Sequence, residues 1–251
     1  MSSGTPLYLY GKNPLVEALH KVISGKNLLG EVFLTKQAEQ DPHIMSLLQK
    51  AKVSYSKVTT EEIEHKVGRG VVHQGVCALV HREALYTSLE RVLDDTTITN
   101  PCVILLDELE DPHNVGAIIR SAVAFGAHAI LVPEHSQAEV NGTVIKSSVG
   151  TTFSIPLVHI GNVHNMLRTL KEKGFWVYGL TGSGSTSLHN VSFDAPTVII
   201  IGSEGKGIRE KTLTYCDFSL SIPISDKCES LNASNAVAVT LYEWNKQRGV
   251  A

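Results

Sequence analysis

The sequence predicts an α/β fold in two domains, the larger built on a mostly parallel sheet. Three observations carry that prediction. Strand-length runs such as CVILLD (102–107), HAILVP (128–133) and TVIIIG (197–202) have continuous apolar stretches rather than alternation, as strands covered on both faces do. Segments with apolar residues at helical spacing alternate with them. A polar, acidic stretch at 83–99, followed by Pro101, separates this rhythm from a shorter one before it. With 251 residues, 43% apolar and 19% charged, the chain can bury cores and is not a disordered polymer.

In the first segment, NPLVEALHKVISG (13–25) sets Leu15, Ala18, Leu19, Val22 and Ile23 on one helical face, with Gly25 near its end. EVFLT (31–35) reads as a strand, HIMSLLQKA (43–51) as a helix and VSYSKV (53–58) as a strand. TTEEIEHKV (59–67) opens on threonine followed by early acids, which suits a helix N-terminus. GVCALVHR (75–82) closes the unit as a strand. The expected domains are therefore 1–82, a linker at 83–99 with a short helix in it, and 100–251. In the last, strands at 102–107, 128–133, 154–160, 175–180, 197–202 and 218–224 alternate with helices at 115–125, 138–149, 161–173, 207–215 and 234–247.

The formal net charge of −3 excludes a global polycation that coats nucleic acid. Residues 1–82 carry 10 basic and 7 acidic side chains, 83–99 carry 1 and 4, and 100–251 carry 11 and 14. An anionic ligand held by bulk charge therefore favours the first third. Cys77, Cys102, Cys216 and Cys228 show no C-x-x-C spacing and read as thiols of a reducing compartment. No apolar stretch approaches the ~20 residues of a spanning helix, and MSSGTPLYLYG has no basic region ahead of an apolar core. A cytoplasmic protein is expected. No metal is expected either, since His113 and His135 lack a ligand set.

Glycine loops suggest nucleotides, but their spacing fails. TGSGS (181–185) gives only G-x-G, and GSEGKGI (202–208) lacks the first glycine of G-x-x-x-x-G-K-[ST], with Gly207 where Ser or Thr would meet magnesium. A nucleotide-hydrolysing enzyme is disfavoured. Three other segments are informative together. In 111–133, Asn114 stands just before a helix, placed to cap it, and Arg120 is the only charge between Val115 and His128. A lone arginine on a helix of small and apolar residues points to an interface or a functional pocket. In 198–208, Glu204 lies between Gly202 and Gly205 at a strand end, the edge where open α/β sheets bind ligands. In 219–244 a polar loop leads into a helix whose first turn holds Asn232, Ser234 and Asn235, with Ser230 close by; capping alone needs one such residue.

In this order and spacing, N-x-G-A-x-x-R-x-A-x-A-F-G, I-G-x-E-G-x-G and S-L-N-x-S resemble the three motifs of the SpoU/TrmH (SPOUT) family of RNA ribose 2′-O-methyltransferases, across residues 102–247. VVHQGV (71–76) and the segment around it resemble the subfamily that methylates a guanosine of bacterial 23S ribosomal RNA. The resemblance implies a C-terminal trefoil knot, an exception to the rule that chains are unknotted. It implies S-adenosylmethionine as cofactor, held by Leu180, Thr181 and Gly182 in one loop, Gly202 in a second, and Ile222, Pro223 and Leu231 in a third. Catalytic roles would fall to Arg120, Asn114, Glu204, Ser230 and Asn232. The family mechanism has the arginine assist deprotonation of the hydroxyl. A guanidinium stays protonated in proteins, so phosphate binding and stabilisation of the developing alkoxide suit Arg120 better.

The resemblance also implies a homodimer, packed through a motif-one helix lined by Ala117, Ile118, Ser121, Ala122 and Phe125. The first domain resembles the family's RNA-binding module, with Lys12, Asn13, Arg69, His73 and Gln74 as candidate contacts. Gly68, Gly70 and Gly75 would permit close backbone approach there. A transfer-RNA or other ribosomal-RNA methyltransferase, and an RNA-binding assembly factor without catalysis, are the alternatives.

Overall fold

A computed structural model describes residues 5–94 and 98–249. The first four residues of MSSGTPLYLYG, residues 95–97 of the expected linker and the last two residues lie outside the described residues. Contacts divide the chain into two compact units, one running to Tyr86 and taking in Val140–Ser154, the other holding Thr87–Glu139 and Ile155 onwards.

The first unit begins with β1 (Leu7–Tyr10), α1 (Lys12–Ile23), β2 (Leu29–Leu34), α2 (Pro42–Ala51), β3 (Tyr55–Lys57), α3 (Thr60–Val67) and β4 (Val76–Val80). Its sheet runs β1-β4-β2-β3, antiparallel except for the β2–β3 pair. Local chemistry sets the helix ends. Asp41 accepts the His43 and Ile44 N–H groups at 3.1 and 3.4 Å to cap α2. Thr59 and Glu62 form a capping box at α3, with bonds of 3.2 and 2.7 Å. β1 is the one strand of this sheet that the sequence pattern did not give. Leu7 and Leu9 are buried there, and the strand pairs with β4 from Leu7↔Val80 to Tyr10↔Cys77.

The chain continues through β5 (Tyr86–Thr87), α4 (Leu89–Leu93), β6 (Cys102–Asp107), α5 (Pro112–Ala124) and β7 (Ala129–Pro133). Leu89 and Val92 of α4, inside the expected linker, are buried in the core of the second unit. Next comes α6 (Gly142–Ser147), which returns to the first unit and packs on β1. Asn141 caps it, and Val144 and Ile145 are fully buried. Gly142 is required by the close approach: a Cβ there would stand 2.5 Å from the Tyr8 carbonyl oxygen.

The remaining elements are β8 (Leu157–Ile160), α7 (Val163–Glu172), β9 (Trp176–Leu180), β10 (Thr186–Ser187), β11 (Thr197–Gly202), α8 (Glu210–Leu213), β12 (Phe218–Ser221) and α9 (Ala233–Gln247). The second sheet runs β10-β12-β9-β11-β6-β7-β8-β5, and β6 to β12 pair in parallel as the apolar runs predicted. One face carries Val103, Leu105, Leu131, Val158, Val198 and Ile200 against Leu167 and Leu170 of α7. Ile104, Leu106 and Ile199 alternate to the other face, where α9 packs on β11 and against α5. From β6 the chain steps outward to β7 and β8, then crosses to β9 before β11 enters between β9 and β6. The order reverses between β6 and β11, so Asp107 and Gly202 end up side by side at the carboxyl edge.

Cysteine burial is graded. Cys77 and Cys102 are buried, Cys216 is partly so, and Cys228 is exposed. Burial pushes the Cys77 and Cys216 thiols up to about 12, and Cys102 higher still. Since the thiolate is the reactive form, one thiol should react promptly with a disulfide reagent in the native protein at pH 8, and all four after unfolding. Prompt reaction of two or more native thiols would contradict the packing.

Candidate active site

Three chain segments meet at the point where the strand order reverses. From β6, the chain turns at Asp111, whose carboxylate accepts the His113 N–H at 2.9 Å and caps α5, with Pro112 at the first helical position. The cap is therefore Asp111, and the capping role open to Asn114 in the sequence is not the one it takes. Asn114 lies inside the first turn, only 6% exposed, and its amide is left for another use.

That use is a ring of three side chains. Asn114 Nδ2 donates to Glu204 Oε1 at 3.1 Å, and Asn114 Oδ1 accepts from Asn232 Nδ2 at 2.9 Å. Asn232 Nδ2 also donates to Glu204 Oε1. Asn232 serves two masters. Its Oδ1 caps α9, accepting the Ser234 N–H at 2.9 Å, the Asn235 N–H at 3.4 Å and the Ser234 hydroxyl at 2.6 Å, while its N–H groups face the ring. Capping and site building are thus one arrangement.

Glu204 is delivered by a tight turn after β11. The Gly207 N–H donates to the Ser203 carbonyl at 2.8 Å and closes a bridge between these two residues. Gly202 admits no side chain, because a Cβ would stand 2.1 Å from the Gly207 carbonyl carbon. Beyond the turn, Arg209 locks onto Asp107. The fully buried carboxylate accepts the Arg209 backbone N–H at 3.0 Å, Nε at 2.9 Å and Nη2 at 2.5 Å, and Glu108 takes Nη1 at 3.2 Å. Sequence reasoning missed this pair, although a carboxylate ending the apolar run CVILLD was a signal that a donor must meet it.

Beside the ring lies a cavity of about 410 Å³, walled by the loops after β9, β11 and β12. Of the residues expected to hold cofactor, Leu180, Thr181, Gly182, Gly202, Ile222 and Leu231 line it; Pro223 does not. Glu204, Glu229, Lys206 and Ser230 are among its polar groups, and Ile201, Ile208 and Leu220 are apolar lining that the sequence reading did not include. The volume falls within the range of about 300–1,000 Å³ usual for small-molecule sites. A smaller cleft of about 320 Å³ adjoins it on the other side of Glu204, bounded by Glu108, Glu110, Asp111 and Asn114.

Arg120 is not brought to the ring within this chain. It is exposed on α5, six residues and about 120° around the helix from Asn114, and lines neither cavity. Phe125 at the end of the same helix packs edge to face on Tyr242, and Val239 and Tyr242 of α9 are exposed apolar groups. In the first unit, Asn13, Arg69 and Gln74 are exposed, whereas His73 is buried and its Nδ1 accepts the Gly75 N–H at 3.1 Å. Among the described residues no group of three or more His, Cys, Asp or Glu is arranged to hold a metal ion, and no helix is long and apolar enough to cross a membrane.

Residues 101–242 match the SpoU rRNA Methylase family, and residues 8–85 match the RNA 2′-O ribose methyltransferase substrate binding family. The chain is 36% identical to the 23S rRNA (guanosine-2′-O-)-methyltransferase RlmB of Xanthomonas campestris, over 86% of this chain and 88% of that protein. It is 35% identical to an uncharacterized tRNA/rRNA methyltransferase of Synechocystis, over 96% of this chain but only 62% of that longer protein's length. Among solved structures, the SpoU methyltransferase AviRb of Streptomyces viridochromogenes, in complex with AdoMet, superposes with a TM-score of 0.79 at 23% identity, over 97% of this chain and 91% of that one. With most of its length matched and its three motif segments converging on one sheet edge, the chain belongs to the SpoU rRNA methylase family.

Proposed function

We propose that this protein transfers the methyl group of S-adenosylmethionine to a ribose 2′-hydroxyl of RNA, with a guanosine of 23S ribosomal RNA as the substrate. The observation that carries this reading is the ring of Asn114, Glu204 and Asn232, whose Glu204 lines the cavity at the carboxyl edge of the sheet. The names of relatives such as RlmB support the choice of substrate.

The cavity suits the cofactor chemically. Apolar walls from Leu180, Ile222 and Leu231 fit an adenine ring, and the Glu204 and Glu229 carboxylates fit cationic groups. When bound, S-adenosylmethionine supplies a methyl group already activated by its sulfonium charge. The protein's part is then positioning and electrostatics. Asn114, Glu204 and Asn232 hold one another in register and, with Ser230, orient the ribose. The Arg120 guanidinium binds the neighbouring phosphate and stabilises the developing alkoxide. Its exposure on α5, a helix packed on α9 where Val239 and Tyr242 are also exposed, supports a homodimer in which it serves the partner's site. The reading includes the family's knotted path. The match to the family over residues 101–242 supports it. The first unit, net positive over residues 1–82, takes the role of RNA binding.

Labelled methyl transfer to unmodified 23S rRNA, followed by mapping of the ribose modified, tests the reading as a whole. Binding of ATP without any binding of S-adenosylmethionine would sink it. Gly182 lines the cavity and has open space where a Cβ would go. Gly182→Val should therefore weaken cofactor binding about tenfold or more in calorimetry, as the loss of a fitted contact surface implies, with an unchanged melting temperature. Asn232→Asp should keep the α9 cap but set a second carboxylate against Glu204. Two carboxylates sharing a site raise one another's proton affinity, so methyl transfer should fall at pH 8 and recover in part as the pH drops toward 6; a flat pH profile would count against the ring. Arg120→Ala should bind cofactor normally and lose about 10²–10³ in kcat, the scale of losing a charge-stabilising donor. Arg120→Lys should also be impaired, because one ammonium cannot copy a planar fork; wild-type turnover in either variant would remove Arg120 from the mechanism.

A further inference from the structure

Lys146 carries an unspent charge. It stands on α6, the segment that folds into the first unit, and its Nζ donates to Gln74 Oε1 at 3.1 Å. The same oxygen accepts the Lys12 backbone N–H at 3.1 Å, so both of its lone pairs are used. Gln74, held with φ at +56°, is exposed, and its amide N–H₂ has no partner among the described residues. Gly11 makes room beneath the ammonium: a Cβ there would stand 2.3 Å from Lys146 Nζ. Two donor groups therefore lie together at the surface, one cationic, on a floor where a side chain is forbidden.

Among the described residues nothing neutralises this cation. Lys12, which shares the Gln74 oxygen through its backbone N–H, has its own ammonium committed to Asp41 at 2.7 Å. Lys146 has no carboxylate partner among the described residues, and partial burial alone depresses its proton affinity. A desolvated ammonium lacking a counter-charge is costly unless an anion completes it.

We infer that Lys146, together with the Gln74 amide, holds a backbone phosphate of the RNA substrate beside Gly11. The inference rests on the RNA-methyltransferase reading and extends it, since Lys146 lies outside residues 8–85 that match the substrate-binding family. The phosphate contact thereby shifts from Lys12, whose charge Asp41 already absorbs, to a lysine from the methylase portion of the sequence.

The test uses the full chain and unmodified 23S rRNA transcript, with filter binding across a salt series and methyl transfer on the same RNA. Lys146→Met keeps the apolar stem and removes the charge. It should weaken RNA binding about fivefold to tenfold and lower the slope of log affinity against log salt by about one, the signature of one lost phosphate contact. The KM for RNA should rise in step, with kcat and cofactor affinity within about twofold of wild type, and Lys146→Arg should restore most of the affinity. Gln74→Glu, at an exposed site, should mimic the loss by pairing with the ammonium internally. Unchanged affinity and salt slope in Lys146→Met and Gln74→Glu overturn the inference, as does a fall in kcat with KM unchanged. If the wild type binds the transcript but transfers no methyl, the enzymatic reading fails while the Lys146 contact is still decided by the binding series.

Discussion

The candidate site depends on one buried carboxylate. Asp107 ends a strand covered on both faces, and a charge in that position is tolerated only when donors surround it. Arg209 meets it with backbone and guanidinium together. Because Gly202 pairs with Asp107 across the sheet and Arg209 clamps the same residue from above, both ends of the intervening turn are fixed to one point. Glu204 can therefore be exposed and still be held in place. Removing one partner of such a pair strands the other, at a cost of about 3–5 kcal/mol in comparable buried pairs. The ring of Asn114, Glu204 and Asn232 is thus only as well ordered as an ion pair that touches none of its members.

Much of this was legible in the chain itself. The runs 102–107 and 197–202 become strands to the residue, because an unbroken apolar run with sharp polar ends has little else to be. The surplus of capping groups at Asn232 and Ser234 announced a second task, and the structure shows how one amide performs both. Other features were hidden for physical reasons. Asp111 and Asn114 both had capping chemistry, and the proline after Asp111 was the deciding clue. Asp107 and Arg209 lie 102 residues apart, beyond the reach of any local periodicity. The spacing in 138–149 signals a helix but says nothing about which sheet it covers, so the allegiance of α6 to the first unit could not be read. β1, four residues with two tyrosines, is too short for alternation to declare itself.

That allegiance bears on how the protein is made. The first unit is discontinuous in sequence: β1 to β4 leave the ribosome early, but Val144 and Ile145, which complete the packing, are synthesised only after β6 and β7. Until then the Tyr8 carbonyl and the Tyr10 ring lack the neighbour that Gly142 brings. The unit thus receives its last core side chains only after a stretch belonging to the other unit has been made. A recombinant gene that joins the first 86 residues of one relative to the remainder of another would supply a foreign α6 to a native β1. Exchanges between such genes should succeed only when both pieces of the unit travel together.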